Sequence, residues 1–202
     1  MTPFAKAYVI NLPSRSDRRR EMSAELKRIG LEAEWFNAVR PDDRGEFESI
    51  GARGCFLSHL GVLRRSLDLE SVLILEDDVN FVRDFRWPKI RPDWSIFYGG
   101  YRFRPDGDVE TTHFVAFRSN AIRLLVPYME AQLSRRAGDA LGGPMHVDGT
   151  YLWFRREHPE LVTVLARPEL GYQRHSRSDI YPGTRRSWFA DVARKLRNLS
   201  AP

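Results

Sequence analysis

Ser71-Val72-Leu73-Ile74-Leu75-Glu76-Asp77-Asp78-Val79 is an unbroken apolar run that ends in three adjacent carboxylates. A strand without polar alternation is covered on both faces, as in the parallel sheets of α/β proteins. Ligands of such sheets gather outside the carboxyl ends of the strands, which makes Glu76, Asp77 and Asp78 a candidate ligand edge. Three crowded acids repel one another unless a cation joins them. The simplest cation is a divalent metal. Carboxylate oxygens suit Mg2+ or Mn2+, ions that complete their shells with water and substrate phosphates. This points to nucleotide or sugar-nucleotide chemistry. The plain alternative is that one acid caps the following helix and the others are solvated.

Around this stretch the chain alternates strand and helix. Residues 7–12 read as a strand, followed by a polar turn and a helix capped by Ser14 or Ser16, carrying Met22, Leu26 and Ile29 until Gly30 stops it. Residues 34–39 read as a second strand, and residues 54–69 as a helix leading into the acidic strand. Downstream, residues 94–100 form a strand closed by glycines, 102–110 a polar loop, and 113–117 a strand before a helix capped by Ser119. A helix over 150–156 and a strand near 162–165 follow. The pattern is α/β, a Rossmann-like sheet flanked by helices in one domain.

Composition agrees with a single globular domain. The 202 residues are 42% hydrophobic and 12% aromatic, so the core or a ligand groove should be rich in rings. A formal net charge of +5 favours anionic partners. Nucleic acid is not among those expected, since the basic residues are scattered and no zinc-finger, RNP-like or helix-turn-helix pattern is present. Cys55 is the sole cysteine, which excludes an internal disulfide and a cysteine-based zinc cluster and suits a reducing compartment. No long apolar leader or membrane-length run occurs, so a soluble, cytoplasmic chain is expected. Residues 183–202 combine Trp188, Phe189, Val192, Leu196 and Leu199 with five basic residues. They read as a basic amphipathic tail, set apart from a domain over residues 1–182. Such a helix either contacts anionic lipid at the inner membrane face or docks on its own domain.

In order along the chain, Asn11-Leu12 with Asp17-Arg18, Gly54-Cys55-Phe56-Leu57-Ser58-His59, Leu73 through Val79, Val147-Asp148, and Gln173 with Ser178-Asp179-Ile180 resemble glycosyltransferase family 25. That family includes lipopolysaccharide and lipooligosaccharide glycosyltransferases and the collagen galactosyltransferases. The resemblance implies a GT-A type fold with a mixed sheet, acting with Mn2+ or Mg2+ on a nucleotide sugar. A UDP-hexose, galactose foremost, would be transferred to a glycan or glycolipid acceptor such as lipopolysaccharide core, with inversion. Two features depart from the family: the chain is short, and Pro13 stands where an acidic residue often follows Asn-Leu.

Candidate roles follow. Asp78 is the foremost metal ligand, with Glu76 beside it, and the resemblance adds Asp77 at the metal or ribose. His175 is either a further ligand or a surface-loop residue. Asn11 and Leu12 lie where a base or ribose would rest. Arg18, opening the first helix, is placed either to hold a nucleotide phosphate or as one more solvated arginine. Ser58 and His59 read by default as a packed polar pair; the resemblance raises them to the donor site, with His59 orienting an acid or binding phosphate. Gln173 matches the pattern without a derivable role. Asp148, beside Tyr151, Trp153 and Phe154, is either the base that takes the acceptor proton or a helix N-cap. Other readings of the same acids are a metal-dependent nucleotide hydrolase or phosphotransferase, and a catalytically silent sugar-nucleotide or glycan-binding module.

Overall fold

A computed structural model describes residues 2–174. His175, the Ser178-Asp179-Ile180 motif, the expected boundary at residue 182 and the basic tail all lie outside the described residues. The elements run β1 (Lys6–Asn11), α1 (Ser16–Ile29), β2 (Glu34–Asn37), α2 (Ile50–Arg65), β3 (Ser71–Glu76), β4 (Val79–Phe81), β5 (Ile96–Phe103), β6 (Val109–Arg118), α3 (Ser119–Leu133), α4 (Val147–Glu157), β7 (Thr163–Leu165) and β8 (Gly171–Gln173).

Six strands form one mixed sheet in the order β2-β1-β3-β6-β5-β7, and β4 pairs with β8 in a small second sheet. β1 runs parallel to β2 and β3, β7 runs parallel to β5, and β6 is antiparallel to both β3 and β5. Five strands of the main sheet therefore point one way and β6 alone opposes them. The apolar run behaves as its composition demands, because both faces of β3 are covered. Val72 and Ile74 join the core beneath α2, α3 and α4, with Phe56, Leu60, Leu125 and Phe154. Leu73 and Leu75 join the opposite core with Met22 and Leu26 of α1. The rings expected of the core are there too: Phe4, Trp87, Trp94 and Phe114 pack edge to face in this second layer.

Several local expectations are corrected. Neither Ser14 nor Ser16 caps α1; Arg15 holds the cap position without a side-chain bond, and Ser16 is the first helical residue. Gly30 does end the helix, in a left-handed conformation whose N–H reaches back to the Leu26 and Lys27 carbonyls. α2 starts four residues earlier than its apolar face suggests, because Ser49 caps it by accepting from the Ala52 N–H at 3.0 Å. Ser119 is likewise not a cap but the first residue of α3.

The strand over 94–100 is not closed by its glycines, and the loop expected over 102–110 is confined to residues 104–108. β5 continues to Phe103 and turns back into β6 as a hairpin. Gly100 sits inside the strand because a Cβ there would strike the Gly171 carbonyl and the His113 ring. The hairpin tip is pinned to α4: Arg155 pairs with Asp108 at 2.8 Å and Arg156 with Asp106 at 2.9 Å.

Candidate functional site

β1 and β3 end side by side, with Ile10 opposite Glu76 in the parallel register. The next residues, Asn11 and Asp77, therefore meet, and Asn11 Nδ2 donates to Asp77 Oδ2 at 2.7 Å. The Leu12 carbonyl closes the following turn by accepting from the Arg15 N–H at 2.8 Å. That turn brings α1 across the strand ends, where Arg18 Nη1 donates to Asp77 Oδ1 at 2.8 Å and lies 3.5 Å from Asp78 Oδ2. Arg18 is not the solvated arginine allowed by its sequence context; its side chain is 11% exposed and lies on the acids. The cation demanded by the crowded carboxylates is thus, in part, the protein's own.

From the other side, β8 pairs with β4 so that Gln173 lies opposite Val79, and Gln173 Nε2 donates to Asp78 Oδ2 at 3.2 Å. This gives Gln173 the position its sequence context left undefined. Arg174, which carried no signal in the sequence, donates from its backbone to the Asp78 carbonyl and from Nη2 to the Asp77 carbonyl, both at 2.7 Å. Asp78 Oδ1 is buried without a hydrogen-bond partner among the described residues. Burial, then the neighbouring charge of Glu76, push the Asp78 carboxyl up to about 7. Burial also raises Asp77, against the pull of Arg18 and Asn11. A partnerless buried carboxylate oxygen held with its neighbour at a strand end is a donor set that a hard divalent ion fits.

Glu76 faces a different set of groups. Thr112 Oγ1, in the first half of antiparallel β6, lies 2.6 Å from Glu76 Oε1 and 3.0 Å from Asp148 Oδ1. The single hydroxyl proton can serve either carboxyl, and the environments of the two acids differ. Burial would raise Glu76, but contacts with His59 and Thr112 outweigh it and hold the group at about 2. Asp148 is raised, first by burial and then by the Glu76 charge. Thr112 thus bridges the two carboxyls, and its hydrogen bond to Asp148 opposes that rise. Thr111, next to the bridging residue, has φ 103°, a conformation a β-branched residue adopts only under strain.

Asp148 is the second residue of α4, whose cap position is taken by His146, so its N-cap reading does not hold. The first turn of a helix nonetheless favours its anionic form. His59 on α2 is fully buried, with Nδ1 3.0 Å from the Tyr151 hydroxyl and Nε2 3.6 Å from Glu76 Oε1, positioned to orient that acid. Ser58 does not reach this cluster. It accepts from the Val39 N–H at 2.8 Å and donates to the Gly54 carbonyl at 2.6 Å, tying α2 to the segment after β2.

The structure therefore gathers Asn11, Arg18, Asp77, Asp78 and Gln173 on one side of the β3 terminus and His59, Glu76 and Asp148 on the other. Thr112, Tyr151 and Arg174 complete the two groups. Glu76 and Asp77 leave the strand toward different groups, and the turn after Glu76 places Asp78 with Asp77.

No family model matches the chain. Among curated proteins, it is 35% identical over 107 residues to a glycosyltransferase 25 family member of Drosophila pseudoobscura pseudoobscura, covering 42% of this chain and 17% of that relative. It is 30% identical over 129 residues to procollagen galactosyltransferase 2 of Mus musculus, covering 48% of this chain and 21% of the relative. The match thus spans about a fifth of each relative's length. Among solved structures, a glycosyltransferase involved in glycosylation of the major capsid of PBCV-1 superposes with a TM-score of 0.52 at 11% identity, over 80% of each chain. The catalytic domain of Drosophila β1,4-galactosyltransferase 7, solved with xylobiose, gives a TM-score of 0.51 at 12% identity over 94% of this chain and 79% of that one. The chain is similar to family 25 in sequence, and its fold is the GT-A type α/β domain expected from the motifs.

Proposed function

We propose that this family-25-like chain is a glycosyltransferase that moves a hexose, galactose in the first instance, from a UDP-sugar to an acceptor hydroxyl with inversion. The observation that carries the reading is the convergence of two buried carboxyl groups, Asp78 and Asp148, on either side of Glu76 at the carboxyl edge of β3, both raised by burial and by the Glu76 charge. Similarity to family 25 supports the choice of transfer over hydrolysis or silent binding.

Asp78 and Asp77 would hold a divalent ion of the Mg2+ or Mn2+ class, which when bound supplies positive charge opposite the departing diphosphate. Arg18 adds a fixed guanidinium at the same edge, and Gln173 and Arg174 keep Asp77 and Asp78 oriented. Asp148 takes the proton of the acceptor hydroxyl as that oxygen bonds to the anomeric carbon. The bond from carbon to phosphate oxygen breaks on the opposite face, and UDP leaves with the electron pair. A carboxyl raised toward the working pH suits such a base, since it must be ionised before transfer and protonated after it. We further propose a surface glycan such as lipopolysaccharide core as acceptor. The working location would be the cytoplasmic face of the inner membrane, with the basic tail at the lipid surface. The sequence pattern of the tail supports this, and among the described residues no helix is long and apolar enough to cross a membrane.

Calorimetry of UDP with and without Mn2+, on wild type and Asp78→Asn, tests the donor site. Binding that requires both Mn2+ and Asp78 is expected; nucleotide binding indifferent to both would overturn it. Product analysis with UDP-galactose and a lipopolysaccharide-core acceptor then separates transfer from release of free sugar.

A further inference from the structure

We propose that Cys55, His59 and Glu76 form a second cation site, suited to zinc or cobalt(II) and chemically distinct from the oxygen-only edge at Asp77 and Asp78. Cys55 and His59 are four residues apart on α2 and so share a helix face. Glu76, the last residue of β3, meets that face, and one ligand atom from each residue lies within 4.8 Å of the other two.

The histidine supplies the pointer to a ligand. His59 is fully buried, its Nδ1 is engaged by the Tyr151 hydroxyl at 3.0 Å, and its Nε2 is buried without a hydrogen-bond partner. That nitrogen faces Glu76 Oε1 at 3.6 Å, beyond hydrogen-bond distance and inside the cluster. An outer hydrogen bond on one ring nitrogen with the other directed at the ion is how metal-bound histidines are held. Cys55 is half-buried and the Glu76 side chain is 17% exposed.

Ligands at about 2.0–2.3 Å around a tetrahedral zinc lie roughly 3.3–3.7 Å apart, so the three side chains need to close by about 1 Å. The fourth position is left for water. A thiolate and an imidazole select zinc or cobalt over Mg2+ and Mn2+, which keeps this site separate from the one proposed for the donor. Binding replaces the thiol proton, which passes to solvent, and ties α2 to the end of β3. It also gives Glu76 a second partner besides Thr112. The proposal does not depend on the transferase reading.

The test is titration of the full chain, stripped with chelator and dialysed, with Co2+. We expect one equivalent to give a near-ultraviolet thiolate-to-cobalt charge-transfer band that one equivalent of Zn2+ abolishes. Cys55→Ser should lose the band and bind Co2+ at least tenfold more weakly, whereas Asp78→Asn should keep it. Cys55→Ala, checked by circular dichroism, serves if the serine variant misfolds. Cobalt that binds without a thiolate band, or equally well to a folded Cys55 variant, would overturn the proposal. UDP binding is scored separately, so either site can fail without the other.

Discussion

Replacing Asp78 by Asn should make the metal-free protein more stable at neutral pH while removing the donor site. An aspartate with an ordinary value of 3.8 that is pushed up to about 7 in the fold binds a proton more tightly when folded than when unfolded. Its ionisation therefore opposes folding. The penalty is absent below about pH 4, grows as pH rises toward 7, and is complete above it. At 1.36 kcal/mol per pH unit, the interval from 3.8 to about 7 corresponds to an upper bound of roughly 4 kcal/mol. The asparagine also gives up attraction to Arg18, 3.5 Å away, so a net gain of about 1–3 kcal/mol is expected. Urea denaturation of both proteins in chelator, at pH 4.5 and pH 8, measures it. The difference should be no more than about 1 kcal/mol at the lower pH and grow in favour of Asp78→Asn at the higher. A difference independent of pH, or one favouring wild type at pH 8, would refute the reasoning. Adding Mn2+ at pH 8 should stabilise wild type and leave the variant unchanged.

Asp148→Asn should retain UDP binding and lower transfer by about 10²–10⁴-fold in steady-state assays, the range supplied by a positioned base. Thr112→Val removes a hydrogen bond that holds Asp148 down, so Asp148 should rise further and the acidic limb of the transfer rate should move to higher pH. Arg18→Ala strips the buried Asp77 of its guanidinium and should cost about 3–5 kcal/mol in chemical denaturation at pH 8, with a smaller loss at pH 4. Leu73→Ala, in the fully buried face of β3 toward α1, should cost about 2–5 kcal/mol without altering nucleotide affinity per folded molecule.

The strand that carries the acids and the end of α1 were legible because burial on both faces leaves an uninterrupted apolar run and Gly30 marks a stop. Strand direction was not. Val72 through Leu75 are equally apolar whether the neighbour runs parallel, as β1 does, or antiparallel, as β6 does. The reversal of β6 is what delivers Thr112 to Glu76, and a single threonine within a strand carries no periodic signal. β4 and β8 were missed because three residues are too few to establish a period, and with them went the reason for Gln173. Ser49 was passed over because the first turn of α2 shows little apolar patterning, although a serine three residues before the bonded N–H is an ordinary cap signal. Ser58 shows the opposite error, a motif residue whose two hydrogen bonds are both spent on packing.

The hairpin between β5 and β6 has a consequence for how such an enzyme diversifies. Its tip is fastened by Arg155 and Arg156 to α4, the helix that also presents Asp148. A loop graft at the hairpin tip would drag on Asp148, the base proposed above, unless Asp106 and Asp108 were kept as anchors. Hairpin and helix are thus mechanically one unit, and successful swaps should exchange them as one cassette.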